Sequence, residues 1–121
     1  LISHTRDTME LIVYGIKNCN SMKKAFAFLD ENDIAYRFHD FKKERLDLES
    51  LKAILECISL ENLINTKGTT YKKLKEQGIK DITPEVVLQN LSVIKRPLIV
   101  NYENGVIQKV TIGLQHLEEL L

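Results

Sequence analysis

Leu11-Ile-Val-Tyr-Gly-Ile-Lys-Asn-Cys-Asn-Ser-Met-Lys-Lys24 holds the transition on which the fold turns. An apolar, β-prone run from Leu11 to Tyr14 stops at Gly15. After a polar stretch, Met22, Ala25, Phe26 and Leu29 recur at helical spacing. A strand that passes into a helix in this way leaves Cys19 at or beside the first helical turn. The unpaired N–H groups and positive dipole end found there favour a thiolate over a thiol, and Lys17, Lys23 and Lys24 add positive charge nearby. Comparable surroundings bring a cysteine from a pKa of about 8.5 into the range of roughly 3.5 to 7.5. A buried structural cysteine is the competing reading, because free cysteines are among the most buried residues.

The chain outward from this point reads as two α/β pieces around a helical middle. The first helix is expected over about residues 21–32, ended by Asn32-Asp33, and Ile34 to Phe41 alternates as a second strand. The short crossover makes this a β-α-β unit with parallel strands and a right-handed connection. Asp47 suits the N-cap of a helix that carries Leu48, Leu51, Ile54, Leu55 and Ile58 on one stripe. Shorter helices are expected near 60–64, 69–77 and 83–92, broken at Gly68, Gly78 and Pro84, with Thr83 capping the last. No strand fits in this middle stretch. From Leu98 the period changes, and two β-prone runs read as a hairpin turned at Asn104-Gly105. Gly113 opens a final helix with Leu114, Leu117 and Leu121 inward.

Composition narrows the function. The 121 residues suit one domain with a substantial core. Seventeen Lys plus Arg balance seventeen Asp plus Glu, so no basic field points to direct nucleic-acid binding. The two cysteines are far apart and form no extracellular-style framework, which fits a reducing, cytoplasmic compartment. No apolar run approaches the roughly 18 residues of a membrane span. The polar stretch over residues 1–8, just before Met9, reads as a tag remnant or a disordered lead. Residues 9–121 then form a single domain, its helical insert covering about 47–92.

Four segments, in order and at this spacing, resemble one known family. They are Tyr14-Gly-Ile-Lys-Asn-Cys-Asn-Ser-Met-Lys-Lys-Ala, Tyr36-Arg-Phe-His-Asp-Phe, Leu63-Ile-Asn-Thr-Lys-Gly-Thr-Thr-Tyr-Lys-Lys-Leu and Ile94-Lys-Arg-Pro-Leu-Ile-Val. The resemblance is to the arsenate reductase (ArsC) and Spx family of the thioredoxin superfamily, and within it to the YffB-type branch. It implies an α/β, thioredoxin-like fold with a four-stranded mixed sheet and a helical insertion between strands 2 and 3. It also implies that Cys19 is the nucleophile, that Arg96 assists it by holding an oxyanion, and that Arg96-Pro97 is a cis peptide facing Cys19. A guanidinium facing a thiolate lowers its pKa and can grip an anion by two parallel contacts. An ordinary surface ion pair is the alternative for Arg96. Substrate contacts are expected from Lys67, Pro97, Asn18, Asn20 and Ser21.

Two departures from the family pattern bear on mechanism. Lys67 stands where relatives often carry arginine, and Leu114 stands where arsenate reductases carry another, so arsenate is expected to be a poor substrate. Many Spx relatives have Cys-x-x-Cys, whereas Cys19-Asn-Ser-Met22 leaves a monothiol. Such a thiol needs an outside partner to resolve its mixed disulfide, most simply glutathione or a similar small thiol as co-substrate, with glutaredoxin as a further partner. Cys57 is expected at the edge of its helix's buried face, in a structural or incidental role. The function implied is a glutathione-dependent thiol reductase, with no bound cofactor. The alternative is an Spx-like transcriptional regulator that binds RNA polymerase without catalysis. His39-Asp40 is expected at a solvent-facing strand end and His116 on a solvated face. No histidine or cysteine spacing fits a metal site.

Overall fold

Strands that read as unbroken apolar runs need cover on both faces, and the two central strands of this protein receive it. The computed structural model describes residues 8–121. β1 (Met9–Gly15) leads through a short loop to α1 (Asn20–Glu31) and then β2 (Arg37–Asp40). Four helices follow: α2 (Leu48–Leu55), α3 (Leu60–Leu63), α4 (Thr69–Glu76) and α5 (Pro84–Gln89). A 3-10 turn at Leu91–Val93 precedes β3 (Leu98–Glu103), β4 (Val106–Ile112) and a terminal 3-10 helix, Leu114–Leu120. The sheet order is β2-β1-β3-β4, with β1 parallel to β2 and antiparallel to β3, and β3 antiparallel to β4. This is the mixed, four-stranded, thioredoxin-like arrangement with a helical insertion between the second and third strands.

Alternation along β1 and β3 divides the core in two. Ile12 and Tyr14, with Leu98 and Val100, pack beneath the insert against Leu51, Ile54, Leu63, Leu74 and Val87. Val13 and Ile99 point the other way, onto Met22, Ala25 and Leu29 of α1 and Leu117 of the terminal helix. Local signals hold the connections. The Asp47 carboxylate accepts from the Ser50 N–H at 2.7 Å, and Ser59 and Thr83 cap α3 and α5 in the same way. Asn104 and Gly105 both adopt positive φ, as a two-residue hairpin turn requires. The insert is also tied back to the sheet's approach. Ile64 bridges Ile94, the Asn65 N–H donates to the Val93 carbonyl at 2.8 Å, and the Lys95 N–H donates to the Leu63 carbonyl at 2.9 Å.

Four expectations change. The second strand is confined to Arg37–Asp40, shorter than the alternation from Ile34 to Phe41. His39 and Asp40 are buried rather than solvent-facing. Adjacent strand residues do face opposite ways, but here both directions are covered. His39 lies against the Tyr14 ring at 4.8 Å between centroids, and the turn after Asp40 folds back so that the Lys42 N–H reaches its carboxylate at 3.0 Å. Residues 83–92 are α5 followed by the separate 3-10 turn. The terminal segment is also a 3-10 helix, whose three-residue repeat puts Leu114, Leu117 and Leu120 in the inward row and leaves Leu121 exposed. His116 is on an exposed face as expected, bonded to Glu119 at 2.7 Å. Residues 1–7 of the expected lead lie outside the described residues.

Candidate functional site

The site begins where β1 ends. Gly15 has no side chain, and a Cβ there would come within 2.5 Å of the Met22 sulfur. The absence of that atom lets α1 press its fully buried Met22 against the end of the strand. This contact fixes the path of the loop Ile16–Cys19 between them. Cys19 is the N-cap of α1, in extended backbone conformation, and its carbonyl accepts the first helical bond from the Lys23 N–H at 3.0 Å.

The thiol of Cys19 is partly exposed and makes no side-chain cap hydrogen bond of ordinary geometry. A neutral thiol is a weak acceptor; the thiolate is a strong one, and the neighbouring donors act on that form. Burial is the largest single influence and raises the pKa, but it is outweighed. The Met22 N–H, the Arg96 guanidinium and the Ser21 N–H stabilise the thiolate, and the charge of Arg96 adds to this, so the thiol is held below its ordinary value. The lysines that flank Cys19 in sequence are not among these groups.

Arg96 arrives from the other side of the sheet's end. It precedes β3, the Arg96-Pro97 peptide is cis, and the buried Pro97 has its carbonyl bound by the Gly113 N–H at 2.9 Å. Nη1 of Arg96 donates to the Ser92 carbonyl at 3.1 Å, which anchors one edge of the guanidinium. Its Nε is buried without a partner among the described residues. Cys19 and Arg96 thus set a planar cation against a thiol held below its ordinary pKa, a pair suited to attack on a sulfur or oxyanion centre whose negative charge the guanidinium holds.

The other expected residues are distributed unevenly. Ser21 takes part through its backbone, whereas Asn18 and Asn20 are exposed beside Cys19 with no role in the thiol's electrostatics. Lys67 is exposed in the loop before α4, where its N–H donates to the Asn65 side chain at 3.1 Å. It does not act on Cys19, although its loop is held close to the Arg96 anchor by a 2.8 Å contact between the Thr70 and Ser92 hydroxyls. Leu114 is half-buried in the same apolar cluster as Cys19 and brings no donor or charge to it. Cys57 departs from expectation. α2 stops at Leu55, and Cys57 is exposed in the following turn, next to Gly105 and Val106 of the hairpin. Met9 pairs with Glu103 at that end of the sheet, and Cys19 follows the opposite end of β1. The Met22 N–H is one of the first-turn donors expected from the helix start, whereas the Ser92 carbonyl escaped the sequence reading, being a main-chain group that side-chain patterns do not reveal.

Known proteins share this sequence pattern and fold. The ArsC family profile matches residues 14–116. Among solved structures, the YffB protein is 34% identical with a TM-score of 0.76, over 92% of this chain and 99% of that one. An arsenate reductase (ArsC) related protein from Brucella melitensis is 37% identical with a TM-score of 0.67, over 91% and 92% of the two chains. The global transcriptional regulator Spx of Enterococcus faecalis is 31% identical over 97 residues, 75% of this chain and 73% of that one.

Proposed function

The chain belongs to the ArsC family, and from that premise we propose that it is a monothiol reductase in which Cys19 attacks a disulfide or comparable sulfur electrophile. The observation that carries this reading is Arg96 acting on a thiol already placed at a helix N-terminus, because both features stabilise the thiolate that does the chemistry. The Cys19 thiolate attacks one sulfur of the substrate disulfide. A new S–S bond joins enzyme and substrate, and the other half departs as a thiolate with the electron pair. A second thiol then attacks the mixed disulfide, becomes oxidised in turn, and returns Cys19 as thiolate. With Met22 in place of a nearby cysteine, that second thiol comes from solution, and glutathione or a similar small thiol fits the role, with glutaredoxin as a recycling partner. A reducing cytoplasm is the compartment this cycle needs.

Relatedness to Spx supports a second reading, in which the fold binds RNA polymerase and Cys19 is not used. The two separate in one experiment. Incubation with oxidised glutathione followed by intact mass measurement should give a single glutathionyl adduct on Cys19, with its release by reduced glutathione. A Cys19 that remains unmodified while small alkylating agents still reach it would favour the regulator.

A further inference from the structure

Cys19, Lys23 and Phe26 are spaced i, i+4 and i+7 along the start of α1, which sets them on one side of the helix. That side borders an open groove of about 340 Å³. Its walls are Lys17 and Asn18 from the loop, Lys23 and Phe26 from α1, and Tyr36 and Phe38 from the chain that enters and forms β2. The lining is aromatic. Phe26 lies nearly parallel to Tyr36 with centroids 5.5 Å apart, and edge-on to Phe38 at 5.0 Å. Cys19 packs into the same apolar cluster as these three rings.

Charge gives the groove a direction. Lys17 and Lys23 are exposed, and neither is in an ion pair among the described residues. No carboxylate lines the groove. Beyond Tyr36 the sign reverses: burial first, and then the carboxylate of Asp30, push the Tyr36 phenol up. The two cations therefore line the groove at the end where the loop carrying Cys19 enters α1, and an anion lies at the far end. A flat apolar body would rest on the rings, and a negative group on it would turn toward the lysines and Cys19. A space of this size takes one substituted ring or its equivalent.

We infer that this groove is the subsite for one arm of the disulfide that Cys19 attacks, and that the arm it selects is an aromatic or similarly flat thiol bearing a carboxylate near its sulfur. This rests on the reading of Cys19 as a nucleophile toward disulfides. The arm held in the groove stays bonded to Cys19 in the mixed disulfide, while the other arm leaves as a thiolate with the electron pair of the broken S–S bond.

The test uses Cys57→Ser protein, so that Cys19 is its one thiol, and three disulfides. 5,5′-Dithiobis(2-nitrobenzoate) has ring and carboxylate, 4,4′-dithiodipyridine has a ring alone, and 3,3′-dithiodipropionate has a carboxylate alone. Each rate is divided by the iodoacetamide rate of the same variant, which removes differences in thiolate content. Lys17→Gln with Lys23→Gln should slow the nitrobenzoate disulfide about fivefold, the size of two exposed ion pairs together, and slow the other two less. Phe26→Leu should slow both ring-bearing disulfides about threefold or more and spare dithiodipropionate. Equal slowing of both carboxylate-bearing disulfides by the lysine changes would show only a diffuse field and overturn the subsite, as would no ring-dependent effect of Phe26→Leu. Should Phe26→Leu not fold, the two surface lysines decide the matter alone. The glutathionyl adduct on Cys19 is scored separately, so loss of the adduct with ring selectivity intact counts against the reductase reading and not against the groove.

Discussion

Arg96 reaches Cys19 because Tyr14 and Leu98 are paired across β1 and β3. That register makes the chain leave β1 and enter β3 at one end of the sheet, so a loop and a distant cis-proline turn present their side chains to a common point.

The acidity of Cys19 is the first consequence. In Cys57→Ser protein, iodoacetamide alkylation should rise with pH along a curve whose midpoint lies below the ordinary thiol value of about 8.5, since only the thiolate reacts. Arg96→Ala removes a group that lowers the pKa, so the midpoint should move up and alkylation near neutral pH should slow. A midpoint indifferent to Arg96→Ala would remove the guanidinium from the site.

Cys57 is placed for no part in the redox cycle. β1 is seven residues long, about 20 Å of strand, and Cys57 lies by the hairpin at the end remote from Cys19. Turnover of a mixed disulfide by added glutathione should therefore be the same for Cys57→Ser as for the parent protein. A Cys19–Cys57 disulfide found by peptide mass mapping under native conditions would contradict this.

Gly15→Ala tests the contact that shapes the loop. The added methyl meets the Met22 sulfur and terminal carbon at 2.5 and 2.7 Å in a fully buried setting, so overpacking should cost about 1–3 kcal/mol in urea unfolding. Met22→Ala alone leaves a cavity and should cost about 2–5 kcal/mol. Combined, the two should cost clearly less than their sum, because each makes room for the other's defect. Additive losses would mean that the Gly15–Met22 approach does not limit the packing.

Arsenate reduction should be weak. Beside Arg96, Lys67 is not among the groups acting on the thiol and Leu114 brings no charge, so a multiply charged oxyanion has a single guanidinium to meet it. A missing hydrogen bond to such a group costs about 1.5–3 kcal/mol, or roughly ten- to a hundredfold in affinity. Leu114→Arg with Lys67→Arg should raise arsenate turnover and leave the reaction of Cys19 with oxidised glutathione largely unchanged. Efficient turnover by the unmodified protein with glutathione and glutaredoxin supplied would refute this account.

The strand-to-helix junction at Cys19, the Asn104-Gly105 turn and the caps at Asp47 and Thr83 were legible because each depends on residues adjacent in sequence. The cis Arg96-Pro97 peptide and the partnership of Arg96 with Cys19 followed from family resemblance, not from periodicity, since 77 positions separate the two residues. What stayed hidden depends on burial from afar. His39 and Asp40 read as a solvent edge until Tyr14 and a folded-back turn cover them, and Leu120 takes the inward place expected of Leu121 only once the terminal helix tightens to a three-residue repeat. Ser92 gives no sequence signal at all, because its contribution is a carbonyl.

The antiparallel bridge between Ile64 and Ile94 makes the insert a hinge-pin for the reactive centre. The same few residues that close the insert carry Ser92, and Ser92 holds the guanidinium. Local melting of the insert would unhook Arg96 and move the cysteine part of the way back toward ordinary acidity, leaving the Met22 and Ser21 N–H groups to hold the thiolate. Amide exchange at Asn65 and Lys95 should then track the loss of fast alkylation as urea is raised below the main unfolding transition. Independent behaviour of the two would break the link. On this arrangement, anything that grips the insert tunes the cysteine without touching it.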